Sequence, residues 1–125
     1  MPIKRRLLVV DDLRDAAESL AFVLSLQGHE AQWLTDPFKV LEVARSFRPD
    51  LIFVDLGMPK LDGYALARML REEFGFDSLR LVALTAWGRD VDRVASRQAG
   101  FDAHVTKPAD PEMIESVLAT IFDRR

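Results

Sequence analysis

The chain has 125 residues, 49% hydrophobic and 30% charged, the balance of one globular domain with a core of its own. It contains no Cys, which excludes a disulfide framework, a thiolate zinc site and a cysteine nucleophile. Seventeen Lys+Arg against twenty Asp+Glu leave a formal charge of −3, so nucleic-acid binding over the whole surface is not expected.

No apolar run is long enough to span a bilayer, and Asp11 and Asp12 follow the basic start too soon for a signal peptide. A cytoplasmic chain is expected. Leu7 to Val10, Leu51 to Val54 and Leu81 to Leu84 are continuous apolar runs, the pattern of strands covered on both faces. Glu30 to Leu34 and Ala103 to Thr106 are more polar and suit edge strands. Helical periodicity fills the gaps. Ala17, Leu20, Ala21 and Leu24 form the first stripe, with Gly28 beyond its end. Asp36-Pro37 predicts a capped second helix carrying Phe38, Leu41 and Ala44 inward. Leu66, Met69, Leu70 and Phe74 form a third stripe, and Val91, Val94 and Ala95 a fourth. Asp110-Pro111 repeats the cap signal before Ile114, Val117, Leu118 and Ile121.

Strands alternating with helices imply an α/β fold with parallel pairing and right-handed crossovers. Five such units are too few for a closed barrel of eight, which leaves an open five-stranded (βα)5 sheet in a three-layer sandwich. Ligands then bind at the carboxyl ends of the strands. At that edge the sequence places Asp11 and Asp12, Asp55, Thr85 and Lys107. Taken singly, each is an ordinary turn or cap residue, and Asp12 or Asp15 could cap the first helix. Their joint placement points to a site. Like charges about 5 Å apart at an effective dielectric of 20 repel by about 3 kcal/mol, so carboxylates at adjacent strand ends favour a bound cation. An all-oxygen donor set suits Mg²⁺ or Mn²⁺, ions that commonly accompany phosphate.

Together these residues resemble the receiver domain of two-component response regulators, over about residues 6–122. The motifs are Val9-Val10-Asp11-Asp12, Asp55-Leu56-Gly57-Met58-Pro59 with Asp62-Gly63, Leu84-Thr85-Ala86, and Lys107-Pro108 after Ala99-Gly100-Phe101-Asp102-Ala103. The resemblance implies a flavodoxin-like sheet in the order 2-1-3-4-5 and a cis Lys107-Pro108 peptide. It implies a signalling switch rather than an enzyme, with Asp55 as phosphoacceptor from a histidine kinase or histidine phosphotransfer protein. Asp12, Asp55 and the Gly57 carbonyl would bind Mg²⁺, with Asp11 acting mainly through water. Lys107 would pair with Asp55 and Thr85 would bind a phosphoryl oxygen. His104 stands where many relatives carry Tyr or Phe, and would turn inward when Thr85 moves.

Gly57 and Trp87 occupy positions that influence hydrolysis in this family, and suggest a long-lived aspartyl phosphate. Leu13, in place of a commoner polar residue, suggests weaker metal binding or a docking surface. Residues 1–125 are expected to form one domain without an output domain, free-standing or drawn from a hybrid kinase. Output would then pass by protein contact or homodimerisation through the fourth helix, fifth strand and fifth helix, with neither nucleic acid nor membrane as partner. Two other classes compete. A Mg²⁺-dependent phosphohydrolase would have a second aspartate where Gly57 stands, and a flavodoxin-like cofactor binder would need a phosphate loop where Asp11-Asp12 would repel it.

Overall fold

The computed structural model describes residues 3–86 and 93–123. Its first half runs β1 (Arg6–Val10), α1 (Arg14–Leu26), β2 (Glu30–Leu34), a 3₁₀ turn (Pro37–Lys39), α2 (Val40–Phe47) and β3 (Leu51–Asp55). The second half runs α3 (Gly63–Phe74), β4 (Arg80–Thr85), α4 (Arg93–Ala99), β5 (Ala103–Thr106) and α5 (Pro111–Phe122). The strands form one parallel sheet in the order β2-β1-β3-β4-β5. Successive strand side chains point to opposite faces, so each central strand feeds two cores. Leu8, Val10, Ile52, Val54, Leu81 and Ala83 pack under α2, α3 and the end of α4. Leu7, Val9, Leu51, Phe53, Val82 and Leu84 pack against α1 and α5. Burial on both faces is why these strands read as unbroken apolar runs.

Three helical expectations need correction. Asp36 accepts a hydrogen bond from the Phe38 N–H, but it opens a 3₁₀ turn, and α2 begins only at Val40. The tighter turn swings Phe38 out to solvent. On α3 the buried face runs through Leu66, Ala67, Leu70 and Arg71, leaving Met69 exposed. On α4, Val94 is 68% exposed, while Ser96 and Ala99 face inward. The polar Ser96 is tolerated there because it finds a hydrogen-bond partner in His104. Val91 and Trp87 lie outside the described residues.

Arg71 forms a clamp that periodicity did not reveal. Its guanidinium donates to the Gly100, Gly75 and Leu79 carbonyls and pairs with Asp102 at 2.8 Å. Asp102 also accepts from the Leu81 N–H, so one side chain ties α3 to the starts of β4 and β5. Gly100 is required beneath it: a Cβ there would sit 2.5 Å from Arg71 Cγ, and its φ of 112° favours glycine.

Candidate phosphoryl-acceptor site

β1, β3, β4 and β5 are in register, so their last residues meet at one edge of the sheet. Asp11 follows β1, Asp55 ends β3, Thr85 ends β4 and Lys107 follows β5. Asp11, Asp55 and Thr85 are buried, whereas Asp12 is partly exposed. A carboxylate oxygen from each of Asp11, Asp12 and Asp55 lies within 4.8 Å of the other two. The Lys107 Nζ stands 2.7 Å from Asp11 and 3.4 Å from Asp55. Lys107 thus holds Asp11 more tightly than the expected partner Asp55. The Lys107-Pro108 peptide is cis.

Local backbone geometry holds these groups in place. Asp11 accepts from the Leu13 N–H at 3.0 Å and Asp55 from the Gly57 N–H at 2.9 Å. The Lys107 N–H donates to the Thr85 carbonyl, joining the ends of β4 and β5. Leu13 occupies the N-cap of α1 with no side-chain cap bond, so neither Asp12 nor Asp15 serves as that cap. Asp62 caps α3 by accepting from the Tyr64 N–H. Gly63 lets the helix approach the end of β3, where a Cβ would lie 3.3 Å from the Asp55 carbonyl oxygen.

Electrostatics confirm that the acids crowd one another. Burial raises the Asp11 pKa, the Asp55 charge adds to the rise, and Lys107 only partly offsets them. For Lys107, burial works toward a lower pKa, but the Asp11 hydrogen bond and the two carboxylates outweigh it and hold the ammonium charged. Three carboxylates and one ammonium leave two negative charges, which one divalent ion balances. The donor set is all oxygen and fits Mg²⁺.

Beside this cluster an apolar groove of about 500 Å³ runs between α1 and the segment leading to α5. Leu13, Leu20, Val23, Pro108 and Ala109 line it, with Asp11 and Lys107 at its polar end. Leu13 is 62% exposed at its rim. On β5, His104 is half-buried and its Nε2 bonds Ser96 Oγ on α4.

Residues 7–119 match the response regulator receiver domain family. The chain belongs to that family. This receiver domain is 33% identical over 120 residues to response regulator Rre1 of Synechocystis sp., an alignment covering 95% of the chain and 52% of that protein. It is 36% identical over 120 residues to the DNA-binding response regulator MtrA of Mycolicibacterium smegmatis, covering 95% of the chain and 51% of MtrA. The chain spans about half the length of the curated relatives it matches. A receiver domain structure (CheY-like) from Methylobacillus flagellatus superposes with a TM-score of 0.84 at 26% identity, covering 95% of this chain and 99% of the other. Family members are signalling switches activated by aspartyl phosphorylation, not classical enzymes. They generally bind Mg²⁺ through acidic residues, and response regulators interact with histidine kinases.

Proposed function

We propose that Asp55 of this receiver domain accepts a phosphoryl group from a phosphohistidine on a kinase or phosphotransfer protein. The observation that carries this reading is the meeting of Asp55 with Lys107 and the Asp11–Asp12 pair at one sheet edge. An Asp55 oxygen attacks phosphorus as the donor's N–P bond breaks, leaving an acyl phosphate on Asp55. Lys107 and Thr85 take the phosphoryl oxygens, and neutralising those oxygens is most of what such a transfer asks of a protein. Asp11, Asp12, Asp55 and the Gly57 carbonyl would hold Mg²⁺, or Mn²⁺ in its place. The ion would supply further neutralisation of phosphoryl charge.

The phosphate then draws Thr85 toward it and alters the ring position of His104, a local electrostatic event biasing a two-state element. The apolar groove beside Lys107, with Leu13 at its rim, supports docking of the phosphodonor protein next to the reacting atoms. Onward signalling is by protein contact through α4, β5 and α5, where exposed Val94 offers apolar area. The domain itself makes no nucleic-acid contact in this reading and acts in the cytoplasm. Among the described residues no helix is long and apolar enough to cross a membrane. Gly57, with no side chain to orient a water, supports a long-lived phosphoryl group.

Beryllofluoride binding with Mg²⁺, followed by fluorine NMR, tests the assignment. The wild type should give a bound signal and Asp55→Asn none; an undiminished signal in Asp55→Asn would overturn it.

A further inference from the structure

The pairing of β4 with β5 sets Ala83 opposite His104 and Thr85 opposite Thr106. Residues two apart on a strand share a face, so Thr85 and His104 lie on the same side of the sheet, one diagonal step apart. That side carries α4. There Ser96, 0% exposed, places its Oγ 2.5 Å from His104 Nε2. The ring also packs 6.5 Å from Phe101, which meets Tyr64 edge-on. Burial lowers the His104 pKa, and the Arg93 charge lowers it further, so the neutral imidazole is favoured.

The same residue anchors the end of its helix. The Ser96 carbonyl accepts from the N–H groups of Gly100 and Phe101, and Arg71 holds the Gly100 carbonyl from α3. The C-terminal end of α4 is therefore fixed to the body of the domain. The Ser96 side chain is the next tether along the helix, one turn closer to the phosphorylation edge. Pulling Ser96 and His104 apart would leave the fully buried Ser96 hydroxyl without its partner, which costs more than losing such a bond at the surface.

We infer that Ser96 is a positioning residue that carries the response at Asp55 from β5 to α4, through its hydrogen bond to His104. Displacement of the His104 ring moves Ser96 with it, and α4 tilts about its anchored C-terminal end. The inference rests on the reading of Asp55 and Thr85 given above. It adds the link by which their change leaves the sheet.

The test is amide NMR on the full chain, with beryllofluoride and Mg²⁺ as the probe. In the wild type, shifts should change at the strand ends and along Arg93–Ala99. In Ser96→Ala the strand-end changes should persist while the α4 changes fall to less than half. His104→Phe keeps a ring but no nitrogen and should behave like Ser96→Ala. His104→Gln keeps a polar group near the Nε2 position and should restore most of the α4 response, which a purely packing role would not allow. An undiminished α4 response in Ser96→Ala or His104→Phe, with Asp55 loaded, would overturn the inference. Identical probe spectra for wild type and Asp55→Asn would instead overturn the underlying reading, and the inference with it.

Discussion

Lys107 lies 0.7 Å closer to Asp11 than to Asp55, at 2.7 Å against 3.4 Å. Before any phosphoryl group arrives, the ammonium is engaged mainly in restraining a buried acid whose pKa is raised. A carboxyl whose folded pKa lies above its unfolded value is penalised when ionised, and the penalty is relieved as pH falls through the folded pKa. Asp11→Asn removes that penalty while keeping the side-chain shape. The metal-free variant should be more stable than wild type at pH 7, read as a higher Tm. It should also lose most of the stabilisation that Mg²⁺ gives the wild type. Thermal melts in EDTA and in Mg²⁺ check both; a lower Tm in EDTA would contradict the account.

Histidine protonation sets an acid limit to stability. His29 Nδ1 accepts the Arg5 N–H at 3.0 Å, which requires that nitrogen to be unprotonated. Burial lowers its pKa from 6.5, and Arg5 lowers it further; His104 shifts the same way. The unfolded chain therefore binds these protons more readily than the folded one. Their stability contribution is complete above the unfolded value of about 6.5 and is lost as pH falls toward the lower folded values. Urea unfolding from pH 7.5 to 5 should show this decline, and His29→Gln should flatten it. An equally steep decline without His29 would remove that residue from the explanation.

The Arg71 clamp predicts the largest stability effect. Arg71→Met would strand the buried Gly100 and Leu79 carbonyls and leave Asp102 without its cation, at a cost of about 3–5 kcal/mol. Arg71→Lys should recover only a small part, because one ammonium cannot reach acceptors spread around a planar fork. Gly100→Ala should also be strongly destabilising, since its Cβ would displace the same guanidinium stem. Denaturant midpoints for the three variants check this ordering.

The pair Arg45–Glu73, bridging α2 and α3 with two hydrogen bonds, offers a contrast. Both residues are exposed, so Arg45→Ala should move the denaturant midpoint far less than Arg71→Met despite the good geometry. A loss as large as that of Arg71→Met would show that exposure is not what separates the two.

The legible parts of this sequence were those where one physical signal dominates. Leu51 to Val54 announces a doubly covered strand because every residue in it is buried, and Asp110-Pro111 marks the start of α5 because cap and fixed φ coincide. Asp11, Asp12, Asp55, Thr85 and Lys107 stand at strand ends, so placing the strands brought them together. Ser96 and Arg71 were hidden for a common reason. Each is polar on a buried helix face, and is accommodated only by partners distant in sequence, His104 for one and Gly100 with Asp102 for the other. Periodicity treats such residues as outward-facing. On α4, described over Arg93–Ala99, that was enough to turn the expected face by about a third of a turn.

The central claim is that one carboxyl, that of Asp55, carries the phosphoryl group. Treating the protein with acetyl phosphate and Mg²⁺, reducing it with borohydride and sequencing its peptides by mass spectrometry reads this out, because reduction converts an aspartyl phosphate to homoserine. The account predicts homoserine at position 55 alone, absent when Mg²⁺ is withheld. Homoserine at position 11 or 12, or none at any position, would contradict it.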